Sequence, residues 1–254
     1  MIMPVKSNRR LAMILGLGVA ASANAQPPGP APGGIDVHAH AVEHAPDIFH
    51  KVMIDRLEIR HGDAGTPLVL EADAWVGSDL NKFWMKADVD SVDDDVEEFE
   101  LQALYSRAVA PYWDLQLGLR HDTRPDDGRT WAVVGLQGLA PYFFETEAAL
   151  FISGTGDTAM TLATEYEFPL TQQWVLSPEL EINFHGQNDR ATGTGSGLSD
   201  IQAGLRVRYE IRREFAPYIG INWNRKFGNT ADFASEAGQE TRSTQLVAGF
   251  RIWF

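Results

Sequence analysis

Four of the seven histidines of this chain fall between residues 35 and 53: His38, His40, His44 and His50. In an extended chain His38 and His40 project from the same side, and in a helix His40 and His44 are i, i+4 neighbours. Either arrangement offers two imidazoles to one metal ion, with Asp36, Glu43 or Asp47 as oxygen donors. Imidazole suits Cu(II), Zn or Ni, whereas the thioether of Met53 would favour Cu(I). The competing reading is a solvated histidine-bearing tail with no metal. His61 and His121 end apolar stretches beside Asp63 and Asp122, where a titrating surface pair is as good a reading as a ligand. Met85 and Met160 fall on apolar faces and are read as packing residues.

A second set of chemical groups alternates with apolar residues over most of the chain. Its carboxylates are Glu71, Asp73, Asp88, Glu98, Glu100, Asp114, Glu145, Glu147, Glu165, Glu167, Glu179 and Glu181, and its cations Lys86, Arg120, Arg206, Arg208 and Arg212. His185 ends the row Glu179, Glu181, Asn183 and makes a secondary candidate metal set with the two glutamates. Confined together, such charges must be paired or wet. They form a structural salt-bridge ladder, a cation-attracting path, or both, since rings of Asp and Glu favour cations. Asp114, Glu145, Glu147, Arg206 and Arg208 are the residues expected to set that electrostatics. No nucleophile motif, zinc-hydrolase motif, P-loop or dinucleotide fingerprint occurs, so no catalytic residue is assigned. Gly193-Thr-Gly-Ser-Gly197 reads as a flexible loop.

The elements that hold these groups follow from composition and period. The 254 residues carry 21 Lys plus Arg against 35 Asp plus Glu, a net charge of −14. Such a surface repels phosphate backbones and argues against nucleic-acid binding. With no Cys, disulfides and thiolate metal sites are excluded. Lys6, Arg9 and Arg10, the apolar run Leu11–Ala21 and Ala23-Asn-Ala25 describe a cleaved export signal over 1–25. Residues 26–53 then read as a flexible periplasmic segment, opened by Gln26-Pro-Pro-Gly-Pro-Ala-Pro-Gly-Gly34.

From residue 54 to the end the alternation has period two. It predicts strands over 54–61, 68–76, 82–90, 96–107, 112–121, 130–138, 142–152, 158–167, 173–185, 200–211, 215–227 and 241–254. Most run nine to thirteen residues, longer than ordinary globular strands and matched to a tilted membrane strand of about 9–11 residues. Connections after the fourth, sixth, eighth and tenth strands are short and often carry Pro, whereas 186–199 and 228–240 are long and polar. The expected fold is therefore all-β, an antiparallel transmembrane barrel of about twelve strands in the bacterial outer membrane, with lipid outside and both chain ends in the periplasm. A soluble β-protein with its apolar face inward is the alternative. Ala110-Pro-Tyr112, Ala140-Pro-Tyr142 and Ala216-Pro-Tyr218 each fall at or just past a periplasmic turn, so their tyrosines, with Trp113, Phe143 and Phe144, are expected to form an aromatic girdle. The ending Leu246–Phe254 alternates towards an aromatic last residue and resembles the terminal signal read by the outer-membrane assembly machinery.

Several segments resemble a known family. Trp113-Asp-Leu-Gln-Leu-Gly118, Gly138-Leu-Ala-Pro-Tyr-Phe-Phe-Glu145, Gly195-Ser-Gly-Leu-Ser-Asp200, Arg208-Tyr-Glu-Ile-Arg-Arg-Glu-Phe-Ala-Pro-Tyr-Ile-Gly220 and Phe250-Arg-Ile-Trp-Phe254 look like the copper resistance protein B family over roughly residues 50–254. The resemblance implies an outer-membrane barrel that binds copper ions or moves them across the membrane, encoded with a periplasmic multicopper oxidase as a potential partner. In that family the N-terminal region is often long and rich in His and Met. Here it is short, which suits one site built from His38, His40, His44, His50 and Met53 better than high-capacity storage. A general small-solute porin and a structural barrel that docks the oxidase are the rivals. If the tail captures copper, replacing His38, His40 and His44 together with Ala will abolish the tightest Cu(II) event in calorimetry. Unchanged affinity and stoichiometry would remove the tail from the mechanism.

Overall fold

In a computed structural model of the chain, residues 47–62, 66–92, 95–124 and 128–254 are described. Twelve long strands follow in order: β1 Phe49–His61, β2 Leu68–Gly77, β3 Asn81–Val92, β4 Asp95–Ala110, β5 Trp113–Arg124, β6 Arg129–Ala140, β7 Phe144–Ser153, β8 Thr158–Glu165, β9 Trp174–His185, β10 Gly197–Tyr209, β11 Phe215–Lys226 and β12 Arg242–Trp253. A two-residue ladder, Phe168–Pro169, pairs beside the start of β9. Every strand pairs antiparallel with its sequence neighbours, and β12 pairs with β1, so the sheet closes into a barrel with no free edge. At the seam Phe254 exchanges backbone hydrogen bonds with Val52 at 2.8 and 3.1 Å. The aromatic last residue therefore completes the ladder that shuts the barrel.

All twelve expected strands are present, most with ends one to three residues from those expected, and two of the shifts bear on site residues. β1 begins at Phe49 rather than residue 54, so His50 and Met53 belong to the barrel wall and not to a flexible segment. β10 runs from Gly197 to Tyr209, placing Arg212 outside it in an exposed turn. The expected loop asymmetry holds only where β9 meets β10 and β11 meets β12. The segment between β11 and β12 is not merely polar, because it contains the helix α1, Gly228–Glu236. Gly195 is likewise no flexible tether. Its amide donates to Thr230 Oγ1 of α1 at 2.8 Å, and a Cβ there would lie 2.3 Å from the Thr230 nitrogen. The glycine lets the two long loops lock together.

Side-chain direction decides between the two kinds of barrel. On β5 the outward Leu119 is 57% exposed, and on β12 Leu246 is 62% exposed, while the inward-facing Glu58 of β1 is fully buried. Large apolar side chains outside and charges inside invert a water-soluble barrel and describe one solvated by lipid. His50 shares the outward face with Val52, and Met53 turns to the other face.

The interior is packed by a size rule. Leu104 faces Gly118, Gln116 faces Gly135, Glu179 faces Gly204, Arg206 faces Gly220, and Glu58 faces Gly249 on the neighbouring strand. A Cβ on Gly204 would come within 2.3 Å of Glu179 Oε1 and 2.6 Å of Arg206 Nη1. Each long inward side chain thus lies over a position that has none. One wall is apolar, with Leu104, Trp131, Val133, Ala149 and Phe151 forming a buried cluster against which Trp84 and Ala159 pack.

The Ala-Pro-Tyr repeat divides. Tyr112 and Tyr142 sit in turns with left-handed φ of 69° and 68° and are exposed at the rim, as a girdle requires. Tyr218 does not join them, because Ala216-Pro-Tyr218 lies within β11 and its ring is buried in the interior. Replacing Gly204 with Val should cost about 1–3 kcal/mol by overpacking, read as a lower urea midpoint for the gel-mobility shift of the folded barrel. An unchanged midpoint would show that the glycine is not what makes room for Glu179 and Arg206.

Candidate functional site

Two charged systems occupy the interior. The first is a continuous ladder. Arg206 clasps Glu58 with Nε and Nη2, each at 3.0 Å, and Tyr218 donates its hydroxyl to the same carboxylate at 3.0 Å. Arg60 adds a contact at 2.7 Å. Arg206 also pairs with Glu179, which Arg56 reaches at 2.6 Å while holding Glu71 at 3.1 Å. A β-bulge at Ile54–Arg56 turns both Asp55 and Arg56 inward. Asp55 thereby meets Arg251 at 2.7 Å, and Arg251 and Arg208 share Glu167 at 2.9 and 2.7 Å. Elsewhere Lys82 holds Asp114 at 3.0 Å, and Arg120 holds Asp122 at 2.6 Å together with Glu100.

The second system is a set of carboxylates that the ladder leaves open. Register places Glu145, Glu165 and Glu179 side by side across β7, β8 and β9. One rung further along, Glu147 and Glu181 flank Ala163 in the same way. Together they line a cavity of about 400 Å³ in which Arg56 supplies the guanidinium. Among the described residues Glu145, Glu165 and Glu181 make no ion pair, although Asn183 donates to Glu181 at 2.8 Å. Glu147 is held from across the interior by Lys86 at 2.7 Å.

The sequence-derived site residues separate on this frame. His38, His40 and His44 lie outside the described residues. His50 and Met53 take opposite faces of β1, so they do not form one ligand set, and Met53 Sδ instead accepts a contact from Arg251 at 3.5 Å. His185, Glu179 and Glu181 share the inward face of β9, but Glu179 and His185 stand about 20 Å apart at about 3.3 Å per residue, and Asn183 stands between Glu181 and His185. They are not one coordination sphere. The Nδ1 of His185 is buried without a hydrogen-bond partner. His61 approaches Thr66 at 3.5 Å. His121 meets Thr130 at 2.9 Å, while Asp122, on the other face of β5, turns to Arg120 and Trp131. Among the described residues no three His, Asp or Glu side chains converge to hold a metal ion.

At the rim opposite Phe254 the long loops interlock. Arg129 at the head of β6 reaches Asp189 in the β9–β10 loop at 2.7 Å. Against the upward pull of desolvation, that hydrogen bond and the Ala191 amide hold Asp189 below the usual aspartate range. Asp157, in the β7–β8 turn, is also held low, chiefly by the Thr155 hydroxyl at 2.6 Å. Asn229 of α1 donates to Asn188 at 3.0 Å.

The copper resistance protein B precursor (CopB) family matches residues 48–254. The chain belongs to the copper resistance protein B family. It is 42% identical over 219 residues to a copper resistance protein B of Escherichia coli, covering 86% of this chain and 74% of that one. It is 41% identical over 200 residues to a copper resistance protein B homolog of Pseudomonas syringae pv. tomato, covering 79% and 68%. Among solved structures the barrel resembles the NanC porin, with a TM-score of 0.55 at 12% identity over 79% of this chain and 98% of that one. It also resembles the KdgM porin, with a TM-score of 0.53 at 12% identity over 80% and 99%. These porins share the fold.

In this member of the copper resistance protein B family, sequence reading had missed Arg56, Glu58, Arg60, Arg251 and Tyr218. For the β1 residues a signal existed, since Arg56, Glu58 and Arg60 alternate with the apolar Leu57 and Ile59. Tyr218 gave none, because an Ala-Pro-Tyr triplet reads the same at a turn and in a strand. Replacing Glu58 with Ala removes the buried carboxylate that Arg206 and Arg60 share and should cost about 3–5 kcal/mol, measured as loss of the folded fraction in urea after reconstitution. A loss below about 1 kcal/mol, the value of an exposed pair, would show that water reaches this site.

Proposed function

We propose that this chain serves copper resistance as an outer-membrane barrel that takes copper ions onto the open carboxylates of its interior and helps move them across the membrane. The observation that carries this reading is the contrast between the two charged systems. The cations of the ladder are each committed to carboxylates, whereas Glu145, Glu165 and Glu181 line a cavity and carry no ion-pair partner among the described residues. A cation entering there meets negative charge in a low-dielectric wall, which raises its local concentration.

Adjacent strands lie about 4.8 Å apart, so side-by-side glutamates offer one or two oxygens each and leave the remaining positions to water. Such sites are weak and several. That suits passage, in which an ion bound too tightly would be trapped. Oxygen donors of this kind accept Cu(II) and serve Cu(I) poorly. The imidazoles of His38, His40 and His44 belong to the same reading as a periplasmic capture point ahead of the cavity, with a multicopper oxidase as the recipient or donor of the ion. Membership of the copper resistance protein B family supports copper as the cargo.

The test uses the full chain in planar bilayers and in cells. Neutralising the open set with Glu145→Gln, Glu165→Gln and Glu181→Gln together should lower the preference for cations over anions severalfold and lower the copper concentration the cells tolerate. Conductance indifferent to copper and to these substitutions would favour a general porin. Absence of conductance, with copper tolerance unaffected by the substitutions, would favour a docking barrel.

A further inference from the structure

We propose that Arg225 and Arg242 form a clamp for the phosphate of a lipid headgroup on the outer wall of the barrel, at the rim opposite Phe254. The two residues are direct cross-strand partners on β11 and β12. Both side chains are exposed and share the outward face with the exposed apolar Trp223, Ile219 and Leu246. Like charges directly opposite one another on a sheet repel. Yet among the described residues neither makes an ion pair, and Glu240, two positions before Arg242, does not reach it. Arg225 lies over the ring of Phe227, its Cζ 5.1 Å from the centroid. On the flanking strands Arg225 faces Ile201, and β1 stops pairing with β12 at His61 opposite Leu246. The pair thus presents, among the described residues, two adjacent exposed cations with no carboxylate partner, in a chain of net charge −14.

Depth identifies the anion. Phe215 packs against Phe250 at the rim of Phe254, with ring centroids 5.8 Å apart. Arg225 lies ten positions further along the same strand. At about 3.3 Å per residue and a tilt of about 40°, that is a climb of roughly 25 Å, the height of the apolar band of such a barrel. Trp223, one rung below and opposite Thr244, takes the interfacial place of an aromatic side chain. The two guanidiniums therefore stand at headgroup level, where the nearest abundant anion is a lipid phosphate. Two planar forks a strand apart can donate N–H groups to its oxygens in bidentate fashion. The site is independent of the copper reading, because it lies on the opposite face of the wall from the carboxylate cavity.

Native mass spectrometry of the delipidated full-length chain tests the clamp, with diphosphorylated lipid A and its enzymatically dephosphorylated form as probes. The wild type should retain the phosphorylated lipid, and Arg225→Gln with Arg242→Gln should weaken that retention about tenfold or more, as expected for losing charge-assisted hydrogen bonds. Arg107→Gln, which changes an exposed arginine near the other rim, should leave it unchanged. The double Lys variant, which keeps the charge but not the fork, should fall between, and it carries the test if the Gln variant fails to show the heat-dependent gel shift of a folded barrel. Equal retention of both lipid forms, equal retention by a folded Gln variant, or full displacement by millimolar inorganic phosphate would each overturn the proposal.

Discussion

The clasp of Arg206 on Glu58 is the interaction on which the rest of the interior depends. It joins strands 148 positions apart in the chain, and through Glu179 and Arg56 it continues back to β1 and on to β2. Neither ion could stay charged in a dry interior alone, since an unpaired buried charge costs several kcal/mol. Both guanidinium edges and both carboxylate oxygens are engaged, with Tyr218 and Arg60 completing the shell. The arrangement needs space as much as charge. Gly204, Gly220 and Gly249 stand opposite Glu179, Arg206 and Glu58, so three strands give up side chains for the ladder to lie down.

This packing divides the lumen by chemistry. The wall of β4 to β7 carries the apolar cluster around Leu104 and Phe151 beside the separate ion pairs of Lys82 and Arg120, and the wall of β9 to β2 carries the ladder. Between them lie the carboxylate rungs of β7, β8 and β9, where the supply of guanidinium partners runs out. The same ion pairs that hold the barrel together thereby expose the groups a passing cation would meet. Paired and open carboxylates, a single list when read from composition, fall on different residues in space.

The outer wall follows a different rule. Its chemistry is set by depth in the membrane: aliphatic side chains in the middle, Tyr112, Tyr142 and Phe143 at one rim, and Trp223 with the two arginines at the other. The long loops above that rim are held by specific contacts, with Gly195 and Thr230 in close approach and Arg129 bridging to Asp189, so they form part of the folded body.

Period-two alternation by itself determined that the chain makes about twelve strands and which residues of each share a face, because residue spacing and the pleat are local properties; that the apolar face turns outward was decided by the tertiary structure. Motif similarity pointed to the family for the same reason, as short runs of residues are legible without a fold. Only the tertiary structure decided which charges meet. The partners of Glu58 lie more than a hundred residues away, and the bulge in β1 reverses the parity of Asp55 and Arg56, so no counting along the chain predicts that both turn inward. Tyr218 became an interior donor rather than a rim residue because β11 extends through its Ala-Pro-Tyr triplet. Closure sets the register between distant strands, and register turns a list of inward carboxylates into some that are bound and others that are open.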